Sequence, residues 1–324
     1  MDNKFVIKLS DLLEEKLISK NEFEIINTVY DYGNPDIEIN PINDEERALF
    51  EEELYSINER AIKYFHEYLS FKGVSESVSN KIINLMEVDG NIGWADSKLS
   101  LYNYLRQEGY ADIHILASGL VKKVDGVITD KFKDRLMIPL YSEQYRCIGF
   151  IGRTFDLKTQ EPKYLCTGDT LIFRKSDYLY GLEIIDNTFE KVTRGLIICE
   201  GVTDVLTLRK YGVDNSIALL GTQITTIQAM KIHQKADLIY LCLDMDGAGQ
   251  LATAIAIGKL YCLHKSIRIV NLNPYKDADE FLRNLGADEF KQRLSSSIDG
   301  NIIWERYWME LKTTLEKYGP NQMN

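Results

Sequence analysis

Apolar and polar positions alternate in blocks along this chain, and the blocks predict strands and helices in turn. The order is most regular between 196 and 272. L-I-I-C at 196–199 reads as a buried strand closed by Glu200 and Gly201, with a helix carrying Asp204 after it. S-I-A-L-L-G-T at 216–222 is a second strand, followed by a helix near 224–234, and L-I-Y-L-C-L-D at 238–244 is a third. The Gly-Ala-Gly at 247–249 turns the chain into an Ala-rich helix near 250–264, before a fourth strand, S-I-R-I-V-N-L, at 266–272. Strands alternating with helices predict an α/β fold with a parallel sheet built from crossovers. Upstream, 135–140 and 147–151 are short apolar runs joined by a polar turn, which predicts a hairpin.

The polar residues at the strand ends carry the candidate chemistry. Open parallel sheets bind ligands beyond the carboxyl ends of their strands. Glu200, Asp244, Asp246, Asp277 and Asp279 all fall at or just past such ends. Strand alternation sends Asp244 and Asp246 to the same side. Two carboxylates so placed repel unless a cation lies between them or one is protonated. Hard oxygen ligands favour Mg²⁺ or Mn²⁺. Any one of these acids could simply cap a following helix. Five at one sheet edge are harder to explain that way.

Charge is unevenly spread. The chain of 324 residues has a formal net charge of -11. Residues 1–60 hold sixteen Asp/Glu and six Lys/Arg, so the acidity is N-terminal, densest in I-N-D-E-E-R-A-L-F-E-E-E-L at 42–54. That run has helical spacing and reads as a solvated helix face, or as an element that docks on a basic partner or shields a basic groove. Residues 131–180 hold nine Lys/Arg against six Asp/Glu, a basic patch. At 45% hydrophobic and 27% charged, the chain is expected to be soluble. No apolar run is long enough for a bilayer, and the N-terminal apolar run is too short for a secretory signal. The five cysteines, at 147, 166, 199, 242 and 262, read as reduced core residues of a cytoplasmic protein. His66, His114, His233 and His264 lack ligand spacing and read as structural.

The Glu-Gly after one strand, the D-x-D after a later one and the acidic pair beyond resemble the TOPRIM domain of primases, topoisomerases and related nucleases, over about 196–297. The resemblance implies Glu200, Asp244 and Asp246 as the catalytic, metal-binding centre, with Asp204, Asp277 and Asp279 as supporting acids. Upstream, K-F-K-D-R-L-M-I-P-L at 131–140, I-G-F-I-G-R at 148–153, P-K-Y-L at 162–165 and Y-L-Y-G-L at 178–182 are similar, in order and spacing, to the catalytic core of bacterial DnaG-type primases. With Y-L-S-F-K-G-V-S at 68–75 and A-S-G-L-V at 117–121, that resemblance covers about 58–297. It implies that Lys133, Arg135, Arg153, Lys163 and Lys175 line a template and nucleotide groove. The expected organisation is an acidic segment at 1–57, an α+β basic subdomain at 58–190, a TOPRIM parallel-sheet domain at 191–297 and C-terminal helices at 298–324.

The expected activity is metal-dependent synthesis of short RNA primers on single-stranded DNA from NTPs. The alternatives are a TOPRIM-type nuclease, and a non-catalytic subunit that binds single-stranded DNA or regulates a primase. Zinc needs closely spaced Cys and His ligands. No Cys precedes 147 and no C-x-x-C occurs, so no zinc is expected and the family's zinc ribbon is expected to be missing. The family's helicase-binding C-terminal domain is expected to be missing too. K-D-A-D-E at 276–280 is closer to phage primases than to cellular ones. The expectation is a minimal core from a phage, plasmid or other mobile element. Alternatively, it works with a replicative helicase and a separate zinc-ribbon or helicase-tether subunit.

Overall fold

The structure, a computed structural model, describes residues 44–67, 76–156, 159–188, 195–221, 224–244, 253, 256–260, 266–300 and 302. They fall into two compact units divided after Arg174.

The first unit begins with helix α1 (Asp44–Glu67). Leu54, Ile57, Ala61, Tyr64 and Phe65 recur at helical spacing and are buried, so one stripe of α1 faces the core. It packs on strands β1 (Gly93–Ala95) and β5 (Cys147–Arg153). Gly93 permits the close approach, since a Cβ there would stand 2.4 Å from the backbone of Phe65. The boundary expected at 57 therefore falls inside a packed helix. Helices α2 (Glu76–Met86), α3 (Leu101–Gln107) and α4 (Asp112–Ala117), and a hairpin of β2 (Val121–Val124) with β3 (Val127–Asp130), accompany it. The expected hairpin is present: β4 (Arg135–Tyr141) pairs antiparallel with β5, and β6 (Tyr164–Cys166) extends the sheet in the order β1-β4-β5-β6. His66 and His114 lie in α1 and α4, and the His114 ring meets Phe50 edge-on at 4.7 Å.

Part of the N-terminal acidity is answered inside this unit. Glu52 of α1 pairs with Arg146 in the β4–β5 turn, and the same guanidinium lies 3.7 Å from the centre of the Tyr55 ring.

The second unit holds α5 (Leu182–Thr188), β7 (Leu196–Cys199), α6 (Val202–Lys210), β8 (Ser216–Ala218), α7 (Thr226–Lys235), β9 (Leu238–Cys242), β10 (Ser266–Ile269), α8 (Ala278–Ser295) and β11 (Ile298–Asp299). The sheet order is β11-β10-β9-β7-β8. The pairs β7–β8, β7–β9 and β9–β10 are parallel, as the alternating pattern predicts. The strands are shorter than the apolar runs suggest. After Ala218, for example, Leu220 takes a positive φ of 57° and the ladder stops. Residues 298–299, expected to open a helical segment, instead form a strand antiparallel to β10. Of the Ala-rich helix, residues 256–260 are described, with Ala256, Ile257 and Leu260 in the core. His233 lies in α7; Asp246, Cys262 and His264 lie outside the described residues. Among the described residues no helix is long and apolar enough to cross a membrane.

Candidate active site

Strands β7 and β9 are parallel neighbours with Cys199 opposite Cys242. Glu200 follows β7 by one residue and Asp244 follows β9 by two, so both emerge at the same edge of the sheet. Gly201 lets the chain turn at once into α6, whose first turn places Asp204 behind them. Asp204 is buried and accepts hydrogen bonds from the backbone N–H of Gly201 (3.2 Å) and of Asp279 (3.0 Å). Asp279 accepts from the Thr207 hydroxyl (2.8 Å) and is clasped by two nitrogens of Arg283, at 3.1 and 3.0 Å. Asp277 is the N-cap of α8, accepting from the Glu280 N–H at 2.8 Å. Asp244 is paired with the ammonium of Lys276 at 3.2 Å.

Four of the expected acids, Asp204, Asp244, Asp277 and Asp279, thus join Glu200 in this unit, and the charges of those four repel. The Asp204 carboxyl is pushed up to about 8, first by burial and then by the neighbouring Asp277, Asp279 and Asp244. In the unfolded chain this carboxyl loses its proton near 3.8, the ordinary value for an aspartate, whereas the folded protein keeps it to about 8. Its contribution to stability is complete below the lower value and is lost as pH rises through the upper one. With EDTA present, the urea midpoint is therefore expected to fall between pH 5 and pH 8.5, and Asp204→Asn to flatten that slope. An equal slope in the variant would sink the assignment.

A divalent cation fits the chemistry of this donor set, which is all carboxylate oxygen and already draws a cation, the Lys276 ammonium, to Asp244. Among the described residues no three side chains of metal-binding type converge closely enough to hold an ion as they stand. Asp246 lies outside those residues, and Asp277 and Asp279 are engaged in fastening α8. Their geometry suits them to orient the site rather than to open it. Lys276, Arg283 and Thr207 were not singled out from the sequence. Arg283 was legible as the i+4 partner of Asp279 on a helix, and Lys276 as the one cation inside K-D-A-D-E.

The basic residues meet mixed outcomes. Lys133 and Lys163 are exposed in the first unit, and Lys175 is exposed in the second. Arg153 is 7% exposed, with its guanidinium 4.9 Å from the Phe155 ring centre and 5.5 Å from that of Tyr164. Its Nε and Nη1 are buried without a hydrogen-bond partner. The Lys163 ammonium lies 5.5 Å from the centre of the same Tyr164 ring, so the two cations share one aromatic ring. Arg135 departs from the expectation of a groove-lining charge, being 1% exposed. Its Nη1 donates to the carbonyls of Gly152 (3.2 Å), Pro162 (2.9 Å) and Lys163 (3.4 Å), and its Nη2 donates to Glu161 at 2.7 Å. The reason is local: Gly152 on β5 has no side chain, and a Cβ there would sit 3.0 Å from the Arg135 Cδ. Arg135 ties β4 to the segment leading into β6, and it does not face solvent.

Comparison with known proteins follows the same division. Residues 49–186 match the family described as DNA primase catalytic core, N-terminal domain, and residues 197–282 match the Toprim-like family. The DNA primase of Clostridium acetobutylicum is 29% identical over 258 residues, covering 76% of this chain and 41% of that protein. The DNA primase of Rickettsia conorii is 30% identical over 318 residues, covering 93% of this chain and 51% of that protein. The chain thus spans about half the length of the curated relatives it matches, or less. A solved DnaG primase catalytic domain bound to ssDNA has a TM-score of 0.70 to this structure at 25% identity, covering 82% of this chain and 84% of that one.

Proposed function

We infer, from the premise that this chain belongs to the DnaG-type primase family through its catalytic core, that it joins ribonucleotides into short RNA primers on single-stranded DNA by metal-dependent nucleotidyl transfer. The observation that carries the reading is the emergence of Glu200 and Asp244 from adjacent parallel strands, backed by a buried third acid. Mg²⁺ or Mn²⁺ held by Glu200, Asp244 and Asp246 would stabilise the attacking and leaving oxygens of an in-line displacement at phosphorus. Asp204 steadies that edge by holding the N-termini of α6 and α8 together through its two accepted N–H bonds. Asp279, fixed by Thr207 and Arg283, keeps α8 seated against α6. The exposed Lys133, Lys163 and Lys175 neutralise phosphates of template and nucleotide, and Arg153 adds its charge from beside Lys163 on the Tyr164 ring. Binding through them weakens as salt rises. The attacking hydroxyl belongs to a nucleotide, so no side-chain nucleophile is needed.

Incubation with single-stranded DNA, labelled NTPs and Mg²⁺ is expected to yield short labelled RNA and to leave the template intact. Shortened template without new RNA would overturn the reading in favour of a nuclease.

A further inference from the structure

Two cations sit against the acidic edge of the second unit, and they are held differently. Arg283 grips Asp279 with two nitrogens, and that carboxylate is 6% exposed. Both partners are on one helix, four residues apart, and the pair is part of how α8 is built. Lys276 reaches Asp244 at 3.2 Å; the lysine side chain is 53% exposed and the aspartate 19%. An ammonium on a flexible stem, half in water, is readily exchanged. A bidentate guanidinium over a buried carboxylate is not.

The backbone that carries Lys276 is nevertheless firmly placed. Its N–H donates to Glu280 at 3.0 Å. The preceding Tyr275 packs edge-on against Phe281 at 5.6 Å, and its N–H donates to the Leu272 carbonyl. The following Asp277 caps α8. The loop therefore delivers Lys276 to Asp244 by construction. The acid it meets stands among like charges, since Asp244 acts with Asp277 and Asp279 to push the Asp204 carboxyl up. A carboxylate without a counter-charge at that edge costs stability.

We propose that Lys276 is an exchangeable internal counter-ion for Asp244: it holds that carboxylate when no divalent cation is bound, and yields it when one arrives. The inference rests on the reading of Asp244 as a metal ligand. Lys276 is then a positioning residue that keeps Asp244 turned into the site, at the cost of competing with the metal. Loss of the ammonium removes the competitor, so metal binds more tightly, while the metal-free protein loses its counter-charge and melts earlier.

The test measures Mn²⁺ binding to the full chain by electron paramagnetic resonance and by calorimetry, with melting curves in EDTA and in saturating Mn²⁺. Lys276→Gln is expected to bind Mn²⁺ more tightly by about two- to fivefold, the fold-change equivalent of an exposed ion pair. It should also melt earlier than the natural protein in EDTA and together with it in saturating Mn²⁺, while Lys276→Arg restores the natural affinity. An unchanged or weaker Mn²⁺ affinity in Lys276→Gln, alongside lost binding in Asp244→Asn, overturns the counter-ion role alone. Unchanged Mn²⁺ binding in Asp244→Asn overturns the ligand reading itself, and the counter-ion role with it.

Discussion

Asp244→Asn is expected to reduce primer synthesis by at least about a hundredfold while leaving the fold intact. The substitution keeps shape and volume and removes only the charge that a metal and its phosphates require. Loss of one preorganised electrostatic partner at a reacting centre costs on the order of 10²–10³ in rate. Stability should move little, because Asp244 emerges past the end of β9 and its partner Lys276 is half exposed. Such pairs contribute no more than about 1 kcal/mol. The check is a labelled-primer assay in Mg²⁺ beside a urea titration. Activity within a few-fold of the natural protein would remove Asp244 from the centre; a collapsed urea midpoint would mean that the loss of activity reports on folding instead.

Arg135→Ala carries the largest expected effect on stability, about 3 kcal/mol. Removing the guanidinium takes a donor from the carbonyls of Gly152 and Pro162, while that of Lys163 keeps the N–H of Thr154 at 3.0 Å. Buried acceptors left unpaired cost on the order of 1–3 kcal/mol each where they cannot relax. The exposed Glu161 adds little. The deletion also leaves a void beside Phe132 and Gly152, in place of a side chain only 1% exposed. Arg135→Lys should recover only part of the loss, since one ammonium cannot span the set. The measurement is the urea midpoint together with affinity for single-stranded DNA at two salt concentrations. A variant as stable as the natural protein, but weak in DNA binding, would return Arg135 to the template-contacting residues.

The outcome for Arg135 also marks how far the sequence could be read. The parallel sheet was legible because β7 and β9 are buried apolar runs each ending in an acid, and period and position survive without knowledge of packing. The β4–β5 hairpin was legible for the same reason. The fate of a long side chain was not. R-L-M-I-P-L shows a basic residue at the start of a strand, and nothing in that string tells that Gly152, seventeen positions later, clears room for it to fold inward. The acids divide likewise. Their placement at one edge follows from strand ends, yet Asp277 as a cap and Asp279 as a clasped anchor depend on α6 and α8 meeting across some seventy residues of sequence. The strand at 298–299 was hidden because two residues are too few to show a period.

Helix α1 has a practical meaning for anyone shortening the gene. Its two faces have separate duties: Leu54, Ile57 and Ala61 are nailed into the first unit, while Glu53 and Glu59 look outward. A fragment starting at residue 58 would discard Leu54 and Ile57, two of those three, so a usable start lies ahead of Asp44. The outward acids, by contrast, are open to recoding. Changing them to neutral residues alters the surface charge of the N-terminal region without disturbing what the helix fastens.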